Sequence, residues 1–569
     1  MSTNIRKAPV NLATGSTEVV ASPDGLLNLH YYNRYSTPHG PVTVGRGVGH
    51  NWITPSFVRL RARNNRVVID FAPGRKGKVY RFRRVGNNYQ PIRNTHGKLT
   101  TQGANGHYRL TERSGKVRIF HRNNGTILQT IHPNGTVTKY FKDGSSNRTG
   151  EIRTCTNDGT QDVVESRKFA YFPADSTGQI NLQSVTLRRA EGTTTPSESD
   201  FVDVRRVELV YCDTTMQGIG SVGDLKLTKQ QTPVLNGTMT TSWQTEQTRH
   251  FRYYTNGRGK GFKHGLKYAF TSNECACLTA AAPNNDPAQA DGQTCKDMAG
   301  IYFEYDNQRR VSMVKRDGGK LENNMQYRMN PNRITDIYNH WYRKATYTAD
   351  DGSMKTVYSN RVGADILIDD KDANGDRWIT YRKFNSQGKV LEKITPSAID
   401  LSGSPYDDTA LDLNVQIKPN EGLIELTTYH ADGNNREFSM VKQGAGGAPI
   451  KQSKSEYETR TLDEGTSSER SVHQVSKQIT YRSDTGDGDP VETTYSYQWH
   501  DNSLQPSKVT THLPDVPADQ NGINYPQNNT TVAEYDTLGR MTSQTDARGA
   551  VTQYQYDPCL LYTSPSPRD

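Results

Sequence analysis

The amino-acid sequence predicts an all-β protein, a long curved antiparallel sheet that grows hairpin by hairpin, and three observations predict it. The first is composition: 569 residues with 33% hydrophobic side chains and a mean hydropathy of −0.83, yet 48 glycines and 31 tyrosines. Tyrosine suits the half-buried face of a strand and glycine the turns between strands. The second is a set of seven Asn-Gly pairs, beginning at Asn105, Asn124, Asn134, Asn236, Asn256, Asn374 and Asn521, each able to take the left-handed conformations of a tight hairpin. The third is repetition. The stretch Ala533 to Asp557 opens on Tyr535-Asp536 and closes on Tyr556-Asp557, so a unit of about twenty residues runs into the next.

Within that stretch, Tyr554 and Tyr556 are two apart, which in a strand puts both rings on one face. Asp536 to Gly539 and Asp546 to Gly549 supply turn chemistry, glycine accepting positive φ. The unit is a short strand, a turn, a strand and a turn. It resembles the YD repeat of the rearrangement-hotspot (Rhs) family, which includes bacterial polymorphic toxins, the C component of insecticidal toxin complexes and the teneurin shell. The residues that carry the resemblance are Tyr535, Asp536, Gly539, Arg540, Asp546, Gly549, Tyr554, Tyr556 and Asp557.

In chain order, residues 1–60 resemble the N-terminal domain that precedes the repeats in Rhs proteins. The matching features are Asn11, Thr14 and Gly15, then Arg34-Tyr35-Ser36, then the approach through Gly45, Gly47 and Gly49 to Trp52. Those glycines do not form a phosphate cradle, because the following WITPSFVRL is an extended pattern and not a helix start. Residues 61–300 read as degenerate hairpins. FHRNNGTILQTIHPNGTVTKYFKDG, at 120–144, spaces Gly135 and Tyr140 as Gly549 and Tyr554 are spaced. Residues 301–558 read as the clearer repeat region: Tyr305-Asp306 followed by Arg309-Arg310-Val311 matches Tyr535-Asp536 and Gly539-Arg540-Met541. Asp372 and Gly375 match Asp546 and Gly549, and Phe384-Asn385 stands for a Tyr-Asp pair. At 559–569, CLLYTSPSPRD breaks the repeat off and is identical to one reading frame of a transposon-derived sequencing adapter. These residues are therefore expected to be adapter-derived, with the natural chain running on past about Pro558.

One hairpin cannot bury its aromatic face and leaves open edges, so each unit has to be continued by the next. In the family such a sheet spirals into a hollow shell, and the resemblance implies the first part of an open β-shell, or cocoon, here. A polar inner wall would suit the low hydrophobic fraction.

The net charge of +10 and pI near 9.0 admit an anionic partner. The cations are spread widely, however, and their densest run, Arg59 to Arg84, alternates as a solvated strand face would. No specific nucleic acid is expected. No apolar run approaches the ~20 residues of a membrane helix, and MSTNIRKAPVNLATG lacks a secretory core. A secreted or cell-surface protein exported without a recognisable N-terminal signal peptide is the expectation.

Candidate chemistry is sparse. Asp370-Lys-Asp372-Ala-Asn374-Gly375 fits the opening of a calcium loop, but Tyr381 stands at the twelfth position, and Asp372 to Gly375 already reads as a repeat turn. Cys275, Cys277 and Cys295 bracket a Pro/Asn/Asp/Gly-rich loop. Three thiols without a nearby His make a poor zinc set, which leaves a loop-closing disulfide from Cys295 to Cys275 or Cys277, with Cys277 and Cys295 the pair singled out, or buried free thiols. His132, His250, His264, His340 and His430 are scattered, and of these His340-Trp341 is the pair whose rings could stack a sugar or base; a packed strand crossing is the default. No Ser/His/Asp order, metalloprotease motif or nucleophile elbow appears. No cofactor, metal or catalytic residue is expected.

The resemblance implies a structural protein: the shell part of an Rhs-type polymorphic toxin, which encloses and delivers a C-terminal toxic domain lying beyond this fragment and serves interbacterial competition. Its expected partners are that domain and a secretion-system spike or other export machinery. The alternative is an extracellular adhesion or carbohydrate-binding YD-repeat surface, with surface glycans as partners.

Overall fold

Strands form where the sequence alternates. In Arg66–Asp70 and Val79–Val85, Val67, Ile69, Tyr80 and Phe82 turn inward and are buried, while Arg83 and Arg84 are exposed. The described part of the basic run is thus spread over three neighbouring strands, Arg59–Arg63, Arg66–Asp70 and Val79–Val85, with the consecutive Arg83 and Arg84 on opposite faces. The computed structural model describes residues 58–556 apart from 71–78, 93–94, 145–147, 158–161, 174–179, 217, 258, 431–434, 467, 484–487, 517 and 519–528. Of the first 57 residues it describes 10–11, 16–17, 26, 30–31 and 52–53.

From Arg59–Arg63 to Val551–Gln553, 33 antiparallel strands make a single sheet in which each strand pairs with its neighbours in chain order. Among the described residues no ladder joins the last strand to the first, so the sheet is unclosed. The all-β expectation holds, with 7% helix. The ladder crosses residue 300 without a break, since Tyr268 pairs with Tyr302 and Ala269 with Ile301. Two small pairs, Val10–Asn11 with Ser16–Thr17 and His30–Tyr31 with Trp52–Ile53, stand outside it.

The sheet curls until early hairpins meet late ones. Arg109 Nη2 donates to the Ser468 carbonyl at 2.8 Å, and Arg113 Nη2 to Asn435 Oδ1 at 2.8 Å. Arg470 Nη1 donates to the His132 carbonyl at 3.1 Å, and the Leu504 N–H to the Pro133 carbonyl at 2.8 Å. Gly115 permits the approach: a Cβ there would lie 2.5 Å from Leu504 Cδ1 and 3.1 Å from Val472 Cγ1. This seam joins residues more than 300 positions apart, which a meander of short hairpins reaches only through twist accumulated strand by strand.

Two hairpins carry large insertions at their tips. Between Leu266–Phe270 and Ile301–Tyr305 lie α1 (Ser272–Ala281) and α2 (Gly292–Met298). Glu274 accepts from the Thr271 N–H at the start of α1, and Asp291 from the Thr294 N–H at the start of α2. Cys275, Leu278 and Cys295 are buried between these helices and Tyr268, Phe270 and Tyr302 of the sheet. Between Val390–Ile394 and Leu423–Tyr429 the chain instead forms an irregular strap over the sheet face, where Ile399 and Leu413 pack on Trp341, Tyr358 and Ile379.

Candidate functional site: the repeat turn and its tyrosine bracket

The unit that recurs is a five-residue turn. In the final copy the Asp536 N–H donates to the Arg540 carbonyl, and the Gly539 N–H donates back to the Asp536 carbonyl, both at 2.9 Å. Asp536 Oδ1 accepts from the N–H groups of Leu538 and Arg540, so the aspartate caps the turn it begins. Gly539, at φ 82°, supplies the left-handed residue. The same bonds hold at Asp306, Asn360, Asp372, Asn385 and Asp546, with side-chain contacts of 2.8–3.1 Å. At Asp306 the left-handed position is Arg309, φ 62°, aligned with Gly539 as the sequence had aligned it.

The arginine after the turn links one unit to the next. Asp536 Oδ2 holds Arg540 Nε at 2.7 Å, and the guanidinium lies 4.9 Å over the Tyr556 ring. Asp306, Arg310 and Tyr327 repeat this at 2.6 and 4.7 Å. The Tyr556 hydroxyl then donates to the Met541 carbonyl at 2.8 Å, and that of Tyr327 to Val311. Tyr171, Tyr211, Tyr253, Tyr305, Tyr429 and Tyr457 bond likewise to Thr149, Leu182, Leu225, Leu266, Val390 and Arg436 at 2.6–2.9 Å. In every case the acceptor is the first residue of a strand, and the tyrosine stands at or beyond the middle of the strand that pairs with it, so the hydroxyl brackets the open end of the hairpin.

The ladder also slips by one residue at Ala170/Tyr171, Val210/Tyr211, Arg252/Tyr253, Glu304/Tyr305 and Glu534/Tyr535. Bulges of this kind re-aim a side chain, here on the side of the strand that faces the next hairpin. Burial pushes the Tyr171 and Tyr211 hydroxyls up, which keeps them protonated and donating.

Among the residues expected from sequence, Tyr305, Asp306, Asp372, Gly375, Asp536, Gly539, Arg540, Asp546, Gly549 and Tyr556 occupy these turns and brackets. Tyr535 ends its strand and its carbonyl faces His500 Nε2 at 3.0 Å; Tyr554 reaches Gln544. Asn11 and Trp52 sit in the two small pairs. Thr14, Gly15, Arg34, Tyr35, Gly49 and Asp557, with the tail at 559–569, lie outside the described residues.

The calcium-like string is such a turn: Asp372 caps backbone N–H groups and Asp370 pairs with Lys355 at 2.6 Å. Cys277 and Cys295 are not joined. Cys155, Cys212, Cys275, Cys277 and Cys295 are all free, Cys277 exposed on α1 and Cys295 buried with its Sγ 2.9 Å from Arg252 Nη1. The capped helices set the two thiols apart, one facing solvent and one facing the core. Trp341 is packed beneath the strap, its Nε1 donating to the Ala410 carbonyl at 2.9 Å, so its ring faces protein. His132 and His250 are held down to about 4, burial being the larger cause and neighbouring cations the lesser.

Sequence reasoning missed the six bracket tyrosines from 171 to 457 other than Tyr305, the turn at Asn360, and a facing His107–His121 pair. The turn had a signal, Asn360 and Gly363 spaced as Asp536 and Gly539 are. Among the described residues no three His, Cys, Asp or Glu side chains converge on a metal position. The geometry cross-braces a wall.

A curled, unclosed sheet of bracketed hairpins defines the class: a repeat-built β-shell wall. Residues 535–559 match the family model described as RHS Repeat. That segment is an Rhs repeat, and the Rhs/YD-repeat family is the one the chain resembles. No curated protein matches the chain in sequence. Among solved structures, the chain is similar to the crystal structure of TcdB2-TccC3, with 9% identity, 87% of this chain and 28% of that chain covered, and a TM-score of 0.30. For TcdB2-TccC3-Cdc42 the values are 8%, 87%, 27% and 0.33. For the Photorhabdus luminescens Tc holotoxin pore carrying TccC3-D651A they are 10%, 87%, 26% and 0.29. The chain spans less than a third of the length of these proteins. No helix among the described residues is long and apolar enough to cross a membrane.

Proposed function

We propose that this chain is the wall of a hollow Rhs-type shell, a structural and not an enzymatic element, whose role is to enclose and deliver a toxic domain encoded downstream. The observation that supports the reading best is the seam between residues 109–133 and 468–504. A sheet that only offered a surface would have no need to return on itself, whereas a container must. The Rhs repeat at 535–559 fits, since such units propagate the wall. The delivered domain is the principal partner, export machinery of the spike type the second, and the destination is outside the producing cell.

The test is the uninterrupted reading frame in the source genome. Further repeats followed by a distinct terminal domain, with a small immunity gene beside it, are the expected result. A frame that ends within a few tens of residues of Tyr556, with neither repeats nor a terminal domain, overturns the proposal.

A further inference from the structure

A cavity of about 340 Å³ opens between the turn that precedes His107 and the one that follows Phe120, lined by Asn105, His107, His121, Arg122, Asn123 and Leu128. Tyr108 pairs with Phe120 across the ladder, which makes His107 and His121 the next facing residues, their rings 5.2 Å apart. The Arg122 N–H donates to His107 Nδ1, and the Asn123 N–H to His121 Nδ1, both at 3.3 Å. A backbone N–H has no lone pair to offer, so each Nδ1 is the acceptor and each neutral ring carries its proton on Nε2.

The lining therefore presents two imidazole N–H donors, the amide groups of Asn105 and Asn123, and the Arg122 guanidinium, which lies 5.0 Å over the Tyr108 ring with Nη1 3.3 Å from the Gly106 carbonyl. No carboxylate lines the cavity; the adjacent Tyr108 hydroxyl is pushed up by burial and by Tyr89, against the opposing pull of the cations Arg122 and Arg84. Each Nδ1 lone pair is taken by a backbone N–H and each Nε2 carries the proton, so a metal would have to displace one or the other.

We propose that this cavity is a binding site for an oxyanion, a carboxylate or phosphate, with Arg122 as the charged anchor, the two Nε2–H groups and the asparagine amides as neutral donors, and Leu128 as an apolar wall. A uronic-acid sugar and free phosphate share this chemistry. The site stands independently of the shell reading.

The test is calorimetric titration of the full chain with glucuronate, inorganic phosphate and glucose. Both anions, or one of them, bind and glucose does not; tighter glucuronate assigns a sugar source, tighter phosphate a phosphorylated one. Arg122→Gln, an exposed position, weakens binding about tenfold or more, and His107→Phe, which keeps the ring and removes the donor, weakens it further. An anion-dependent rise in Tm of the unaltered protein supports the site without any variant. No binding of either anion at millimolar concentration, affinity unchanged in Arg122→Gln, or zinc binding that His107→Phe abolishes, overturns it.

Discussion

The hairpins 266–305 and 390–429 share a frame and differ in what hangs from it. In both, a tyrosine 39 residues on donates to the carbonyl of the residue that opens the first strand, Tyr305 to Leu266 and Tyr429 to Val390. The first hairpin carries two capped helices that bury Cys275, Leu278 and Cys295 against the sheet. The second carries a mostly irregular strap, with one 3-10 turn at Pro396–Ala398, that depends on the sheet for its core. The frame is thus defined by the ladder and the bracket at its open end, and the tip is free to carry different structures. A wall built this way can vary its tips while keeping its course.

The sharpest test of that difference is at Trp341, buried under the strap and bonded to it twice, N–H to the Leu411 carbonyl and Nε1 to Ala410, each at 2.9 Å. Trp341→Ala should cost about 4 kcal/mol by urea denaturation. Proteases should then cut within 395–422 while amide exchange in Leu423–Tyr429 stays slow. Exchange of that strand at the rate of the strap would break the comparison, because tip and frame would then open together.

Leu278→Ala is the matching change in the helical tip. Leu278 is fully buried among the helices and Tyr268 and Tyr302, and the loss should be about 3 kcal/mol. Exposure of Cys295 to a thiol reagent reads it directly, since that thiol is buried in the intact tip. The strap should keep its protection; its joint loss would mean that the tips are coupled through the sheet.

The brackets come next. Tyr305→Phe removes a donor from a carbonyl in a fully buried setting, at a cost of about 2 kcal/mol, whereas half-buried Tyr429 leaves its carbonyl within reach of water, at about 1 kcal/mol. Chemical denaturation at constant slope should show that order. Equal costs would mean that burial does not distinguish the two frames.

How much of this was legible in the sequence follows from distance along the chain. The turns at Asp306, Asp372, Asn385, Asp536 and Asp546 were readable because cap, carbonyl and left-handed residue fall within five positions. The brackets were not, because the Tyr-to-carbonyl interval follows the tip, 15 residues for Tyr556 and Met541 but 39 for the inserted hairpins. The helical tip did carry a signal, Thr271-Ser-Asn-Glu274, a capping box, which the Pro, Asn, Asp and Gly around the cysteines obscured. The seam had none, since it depends on twist summed over many strands. Of the candidate chemistry, His107 and His121 are 14 positions apart, and only the register of their strands brings them face to face.

The smallest expected effect lies at the turn that leaves the first frame. Arg309 holds the left-handed position that Gly539 holds in the final unit, at a strain of about 1 kcal/mol for a residue with a Cβ. Its guanidinium lies 5.0 Å over the Phe262 ring, which returns about 0.5–1 kcal/mol. Arg309→Gly should therefore leave stability within about 0.5 kcal/mol of the parent, while Gly539→Ala, with nothing to offset the strain, should lose about 1 kcal/mol. The Phe262→Leu background separates the two terms: without the ring, Arg309→Gly should stabilise by about 0.5–1 kcal/mol. If the substitution is neutral in both backgrounds, the turn carries no strain, and the arginine in place of glycine at this unit needs no compensation from the helical hairpin beside it.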